Sequence, residues 1–351
     1  MIIIIIIKLE NGKTIASSGG DIAVVGGDAS GGVSLDRPHG PHTEGTASMP
    51  DTSTSREKVQ VTVSIPPQKY FVERIGGDRV TVNVMVEPGG KPHTYEPKPQ
   101  QLKMLAASQA YFRTGVEFES AWMDRIKAAN RSLQVVDTAE GVELLPMVAH
   151  HHHEDEAGEH HHEDEAGEHD EGEKAETDGG PETTDPHIWL SPPLVKQQAQ
   201  TVYEALVKLD PNGEQVYKAN LDKFIADIDA LDRDIRSTLA GVKNRKFMVF
   251  HPSWAYFAKA YNLEMIPIEV GGTEPSAAEL GQLIEVAKKE GIKVIFAQPE
   301  FSTKSAETIA KAIGGEVILL DTLAPNWLEN MRQVTDKLAR VMSAVSFVVI
   351  G

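Results

Sequence analysis

Histidine is the residue type whose placement in this chain suggests chemistry. Of thirteen histidines, eight lie in one tract, at His150, His151, His152, His153, His160, His161, His162 and His169. Within that tract the block HHHEDEAGE occurs twice in tandem. His39 and His42 belong to an N-terminal stretch rich in Gly, Ser, Thr and Asp. The remaining three are solitary: His93 in GGKPHTYEP, His187 in DPHIWL and His251 in KFMVFHP. Imidazole nitrogen suits zinc, whereas manganese tolerates more oxygen ligands. Asp321, at the end of VILLD, adds a carboxylate, and three imidazoles with one carboxylate would make a tetrahedral zinc site. Taken singly, a loop histidine is more often a surface or hydrogen-bonded residue than a ligand. Spacing alone does not bring these positions together.

The elements that would have to position them are legible in the hydrophobic pattern. VQVTVSI (59–65), RVTVNVMV (79–86), AYFRTG (110–115) and LQVVDTA (133–139) read as strands. PPQKYFVERIGG (66–77), QQLKMLAAS (100–108) and FESAWMDRIKAAN (118–130) read as helices between them, the first entered through proline and closed by glycine. A second alternating series runs from KFMVFH (246–251) to EVILLDTLA (316–324), followed by a closing helix over 326–345. In it, Ser276 with Glu279 three residues on forms a capping box. Alternating strands and helices imply βαβ units with parallel sheets covered on both faces. Residues 213–239 are helical in pattern without an internal proline or glycine, about 40 Å of helix at 1.5 Å per residue. In open α/β sheets ligands bind beyond the carboxyl ends of strands, where His93, His251 and Asp321 all fall.

The fold expected is therefore α/β: two lobes, each with a parallel β-sheet flanked by helices, joined by one long rigid helix. Residues 1–57 read as a leader, an added segment or a poorly ordered extension. Residues 58–191 form the first lobe, with 150–184 as a disordered loop rich in histidine and acid. Residues 192–241 are a helical region containing the linking helix, and 242–351 the second lobe. Trp122, Trp189, Trp254 and Trp327 are expected in cores or lobe interfaces, and Gly271 with Gly272 in a turn.

Composition bounds the function. A net charge of −18 argues against nucleic acid, which needs a basic face. Much of that charge sits in 150–182, where fourteen acids face one lysine. With no cysteine, disulfides, Cys-type zinc sites and thiol catalysis are excluded. No run approaches 18 apolar residues, the length of a membrane span. The start MIIIIIIKLE does not fit a secretory signal, which has a basic region, an apolar stretch and a small-residue cleavage site.

Four stretches, PGGKPHTYEPKP, DPHIWLSP, FHPSWAYFAKAYNL and LLDTLA, resemble motifs of the metal-binding solute-binding proteins of ABC importers, the cluster A-I family. EPSAAELGQLIEVAKKEGIKVIFAQPEFSTKSAETIA is similar to the second lobe of that family, and the likeness covers roughly 58–340. The resemblance implies His93, His187 and His251 as metal ligands and Asp321 as a less secure fourth, which some members replace by water. Histidine rather than glutamate at 251 implies the zinc-type, ZnuA-like branch. It also implies capture of Zn2+ in an inter-lobe cleft, delivery to a membrane permease, an extracytoplasmic location and a monomer, with no catalysis. The histidine tract would be an accessory, low-affinity zinc collector or sensor. Rival readings are a manganese or iron binder of the same family, a metal buffer without a permease, and a zinc-dependent hydrolase. The last would need a general base, for which Glu96 and Glu274 are the nearby acids, but no HExxH motif is present.

Overall fold

The structure is a computed structural model of the chain and describes residues 5–8, 14–17, 57–147, 184–269 and 272–343. The histidine tract with its expected disorder, His39, His42, Gly271 and the tail FVVIG lie outside the described residues. In the N-terminal unit, Met1–Ser53, β1 (Ile5–Lys8) pairs antiparallel with β2 (Thr14–Ser17).

In the unit that follows, β3 (Val59–Val63), β4 (Val80–Val84), β5 (Ala110–Arg113) and β6 (Gln134–Asp137) form one parallel sheet in the order β4-β3-β5-β6. Helices α1 (Pro66–Gly76), α2 (Pro99–Ala106) and α3 (Glu117–Ala129) make its crossovers. After α4 (Pro192–Leu209) and α5 (Glu214–Ala240), a second parallel sheet follows. It contains β7 (Lys246–Val249), β8 (Glu264–Pro267), β9 (Val294–Ala297) and β10 (Glu316–Leu319), in the order β10-β9-β7-β8. Its crossovers are α6 (Ala255–Tyr261), α7 (Ala277–Lys289) and α8 (Lys304–Ala312), and α9 (Trp327–Ser343) closes the described chain.

Both sheets share one winding. The first strand lies between the second and the third, so each lobe reverses direction beside its first strand and opens a crevice at the carboxyl ends there. Central strands are buried on both faces, which is why β9 is apolar throughout as VIFA. The buried Thr62 of β3 is tolerated because its hydroxyl pairs with that of Ser108 at 2.7 Å.

Helix α5 spans 27 residues and buries one stripe: Tyr217, Leu221, Phe224, Ile228, Leu231, Ile235 and Leu239. Spacings of three and four keep these residues on one face. That face packs on α1, α4, α6 and α9. A single apolar cluster consequently runs from Val61 and Phe112 in the first lobe, through the α5 stripe, to Phe247 and Phe296 in the second. Trp189, Trp254 and Trp327 are fully buried, whereas Trp122 is only partly so, with the Arg125 guanidinium over its ring. Trp189 and Trp327 stitch the lobes: the Trp189 indole donates to the Thr322 carbonyl at 2.8 Å, and that of Trp327 to the Trp189 carbonyl at 2.7 Å.

Candidate metal centre

Each solitary histidine follows from local chain geometry. His93 lies in a short 3-10 turn, Pro92–Thr94, in the loop between β4 and α2. That loop turns at Gly89, whose φ of 78° a side chain would resist. His187 opens another 3-10 turn, Ile188–Leu190, after the chain returns from the tract. His251 stands two residues past β7 rather than within the strand as expected. Backbone bonds to the neighbouring strands run on through Phe250, and Pro252 has no N–H with which to extend them.

The structure brings the three together. Ring centroids are 4.6 Å apart for His93 and His251, 5.2 Å for His187 and His251, and 5.6 Å for His93 and His187. One nitrogen from each lies within 4.8 Å of the other two. Zinc with Zn–N near 2.0–2.1 Å in a tetrahedron needs nitrogens about 3.4 Å apart. Contraction of at most about 1.4 Å, from 4.8 to 3.4 Å, would suffice.

Every imidazole has a carboxylate on Nδ1. Glu117 meets His93 at 2.5 Å, Asp185 meets His187 at 2.6 Å, and Glu269 meets His251 at 2.6 Å. A carboxylate can only accept when ionised, so the imidazole proton belongs on Nδ1 and the Nε2 lone pair is left for another partner. On His251 that nitrogen is buried and has no hydrogen-bond partner. An orphaned buried acceptor costs about 1–3 kcal/mol, a cost a bound cation removes. Burial chiefly, with the neighbouring imidazoles, pushes His251 down to about 4 against the pull of Glu269. His251 is therefore neutral, and able to donate electrons to a metal, across the physiological range.

The three carboxylates are held differently. Asp185 is wholly buried, and its Oδ1 also accepts the His187 backbone N–H at 2.9 Å. Its backbone carbonyl accepts the Tyr256 hydroxyl at 2.7 Å, and Tyr256 in turn accepts the Leu145 N–H at 2.9 Å. Helix α6 thus grips both ends of the segment from which the tract departs. Glu269 is also buried, two residues past β8. Glu117 is half exposed at the start of α3. Partial burial opposes its ionisation, but the bond to His93 and the electrostatic pull of His93 and His187 outweigh this and hold its carboxyl below the usual range.

Asp321 is outside the cluster. Its Oδ1 accepts the Leu323 N–H at 2.8 Å and its backbone carbonyl accepts the Asn330 amide at 2.7 Å, which directs it into a local turn after β10. Glu96 is exposed, and Glu274, on the cleft wall, accepts from the Ser305 hydroxyl. The eight tract histidines lie outside the described residues. The three partner carboxylates went unread in the sequence. Asp185 had a signal, two residues before His187 in D-P-H. Glu269 was an acid ending an apolar strand, and Glu117 gave no sign.

The cleft beyond the imidazoles holds about 560 Å³ and is lined by Lys91, Met147, Glu274, Phe301 and Ser302 among others. Met147, the last described residue before the tract, stands on its wall.

Residues 61–341 match the family described as zinc-uptake complex component A, periplasmic. The zinc-binding protein AdcA of Streptococcus pyogenes serotype M3 is 29% identical over 270 residues, covering 76% of this chain and 50% of its own length. The chain therefore spans about half the length of the first curated relatives it matches. The high-affinity zinc uptake system protein ZnuA of Paracoccus denitrificans is 31% identical over 287 residues, covering 78% of this chain and 84% of that protein. A crystal structure of ZnuA superposes with a TM-score of 0.72 at 46% identity, covering 82% of this chain and all of that one.

Proposed function

Because the chain belongs to the family of periplasmic A components of zinc-uptake complexes, a family of transport proteins rather than enzymes, we propose that it captures Zn2+ extracytoplasmically and delivers it to the membrane permease of an ABC importer. The observation that carries this reading is the convergence of three imidazole nitrogens, each ring with a carboxylate on its far nitrogen. His93, His187 and His251 are the ligands in this reading. Water from the open cleft takes the fourth position, since Asp321 is turned toward Leu323. The all-nitrogen protein set favours zinc over manganese.

The apolar core shared by the lobes supports a capture mechanism with little hinge closure. His93 is the mobile ligand on this view: it sits on a Gly-turned loop with a half-exposed carboxylate, whereas His187 and His251 are buried with buried partners. The histidine tract serves as an accessory, weaker zinc collector. Its departure beside Met147 on the cleft wall and its return beside Asp185, which bonds to His187, support this.

Calorimetric titration of the metal-free chain tests the division of labour. One tight zinc equivalent and further weak ones are expected, and deletion of 150–182 should remove only the weak ones. Loss of the tight equivalent on that deletion would sink the assignment to the three solitary histidines. Solution scattering that shows no large compaction on zinc addition supports the restricted closure.

A further inference from the structure

Phe301 lies on the loop between β9 and α8, and its ring stacks on that of His251 with centroids 4.8 Å apart and planes 18° from parallel. The His93 ring is 6.4 Å away. Phe250 packs against Phe301 at 6.1 Å, and the Lys91 ammonium, from the loop that carries His93, sits 5.4 Å from its centroid. Gln298 ties the stack to one frame. Its side-chain amide donates to the His251 carbonyl at 3.0 Å, and its own carbonyl accepts the Phe301 N–H at 3.2 Å. The ring is thus set relative to His251 by its neighbours and not merely laid over it.

Each carboxylate beside the imidazoles already has one oxygen engaged. Glu117, Asp185 and Glu269 hold Nδ1 atoms, and Asp321 caps its own turn. An ion on the three Nε2 atoms has its remaining face toward the cleft, where Phe301 forms part of the wall. A hydrocarbon ring supplies no lone pair and fills space that additional oxygen ligands would need. Zinc is content with four ligands, whereas manganese favours octahedral, oxygen-rich sets.

Resting on the reading of the three histidines as a zinc site, we propose that Phe301 is a specificity-determining residue. Its ring keeps the bound ion four-coordinate and so selects zinc over manganese. Lys91 helps to hold the ring in place through its ammonium on the π face. Selectivity then has two sources in one site: the nitrogen donors, and a wall that denies the coordination number manganese requires.

The test uses the full chain, freed of metal, with zinc and manganese affinities measured by competition against a chelating dye. Cobalt(II) absorption reports coordination number, because four-coordinate cobalt absorbs far more strongly than five- or six-coordinate cobalt. In Phe301→Ala the zinc-to-manganese affinity ratio should fall at least ~10-fold, and the cobalt bands should weaken. Phe301→Leu, still apolar, should keep both properties, and Phe301→Gln, of similar reach but with an oxygen, should lose both. If thermal melts show that Phe301→Ala is unfolded, the Leu and Gln variants decide. A wild-type cobalt spectrum and an unchanged ratio in Phe301→Gln would overturn the proposal, as would an equal loss of affinity for both metals. Should His251→Ala still bind zinc tightly, the underlying zinc-site reading has failed instead.

Discussion

Oε2 of Glu269 lies 2.6 Å from Nδ1 of His251, and both side chains are more than nine-tenths buried. The pairing fixes the ring's tautomer and leaves Nε2 as an electron donor with no protein partner. Glu269→Gln keeps an acceptor for the Nδ1 proton but removes the charge that makes the imidazole more basic. Zinc affinity should fall about 10–100-fold, with the metal-free fold nearly unchanged. Glu269→Leu removes the acceptor as well, so the metal-free protein should also lose about 1–3 kcal/mol. Dye competition and urea melts of the two variants separate these effects.

The stability of the metal-free protein should depend on pH through His251. Its folded value is pushed down to about 4, mainly by burial, while an unfolded imidazole titrates near ~6.5. Between those values the unfolded chain takes up a proton that the folded chain refuses. This stabilising preference for the neutral ring is complete above the unfolded value and is lost as pH falls toward the folded one. At about pH 5 the loss is on the order of 2 kcal/mol. Urea midpoints at about pH 7.5 and about pH 5 should drop for the wild type and drop less for His251→Gln. Equal drops would place the pH sensitivity elsewhere.

Asp321 and His93 make a contrasting pair. His93→Ala removes one of three converging nitrogens and should weaken zinc binding by more than ~100-fold, beyond the usual effect of an outer-shell change. Asp321→Asn keeps an oxygen for the Leu323 N–H, and zinc affinity should stay within about threefold, under 1 kcal/mol. A large loss in Asp321→Asn would show that the loop after β10 swings its carboxylate onto the metal.

How far the sequence could be read is clear from particular residues. The capping box of Ser276 and Glu279, the proline entry of α1 and the uninterrupted run of α5 are local signals, and the structure has them where the pattern placed them. KFMVFH overran its strand because Phe250 is apolar and still bonds to the backbone of Phe296 and Glu269 beyond the regular ladder. The three histidines were visible as solitary residues beyond regular elements, but their convergence came from motif resemblance and not from spacing. The carboxylates of Glu117 and Glu269 meet rings 24 and 18 residues away through tertiary structure alone. No periodicity encodes such a pairing. Asp185 is the exception, because a two-residue reach is local.

Two acids on α3 show how close a binding role and a folding role can lie. Glu117 is half exposed and serves His93. Glu119, two residues on, is 1% exposed and ties the ends of β3 and β5 together. It accepts the Ser64 hydroxyl at 2.6 Å and the backbone N–H groups of Thr114 and Gly115 at 2.9 and 2.8 Å. Gly115, with φ of 95°, turns the chain so that its N–H reaches the second carboxylate oxygen. Glu119→Gln must set an amide N–H against one of these donors, which should cost about 2–3 kcal/mol and lower Tm by several degrees. Because α3 carries Glu117, some zinc affinity should be lost with it. Glu117→Gln should do the reverse, weakening zinc binding while leaving Tm within about 1–2 °C, as expected for an exposed side chain. Thermal melts and dye competition on both variants measure the crossing. A Tm loss in Glu117→Gln as large as that in Glu119→Gln would mean that the His93 contact stabilises the fold and is not reserved for the metal.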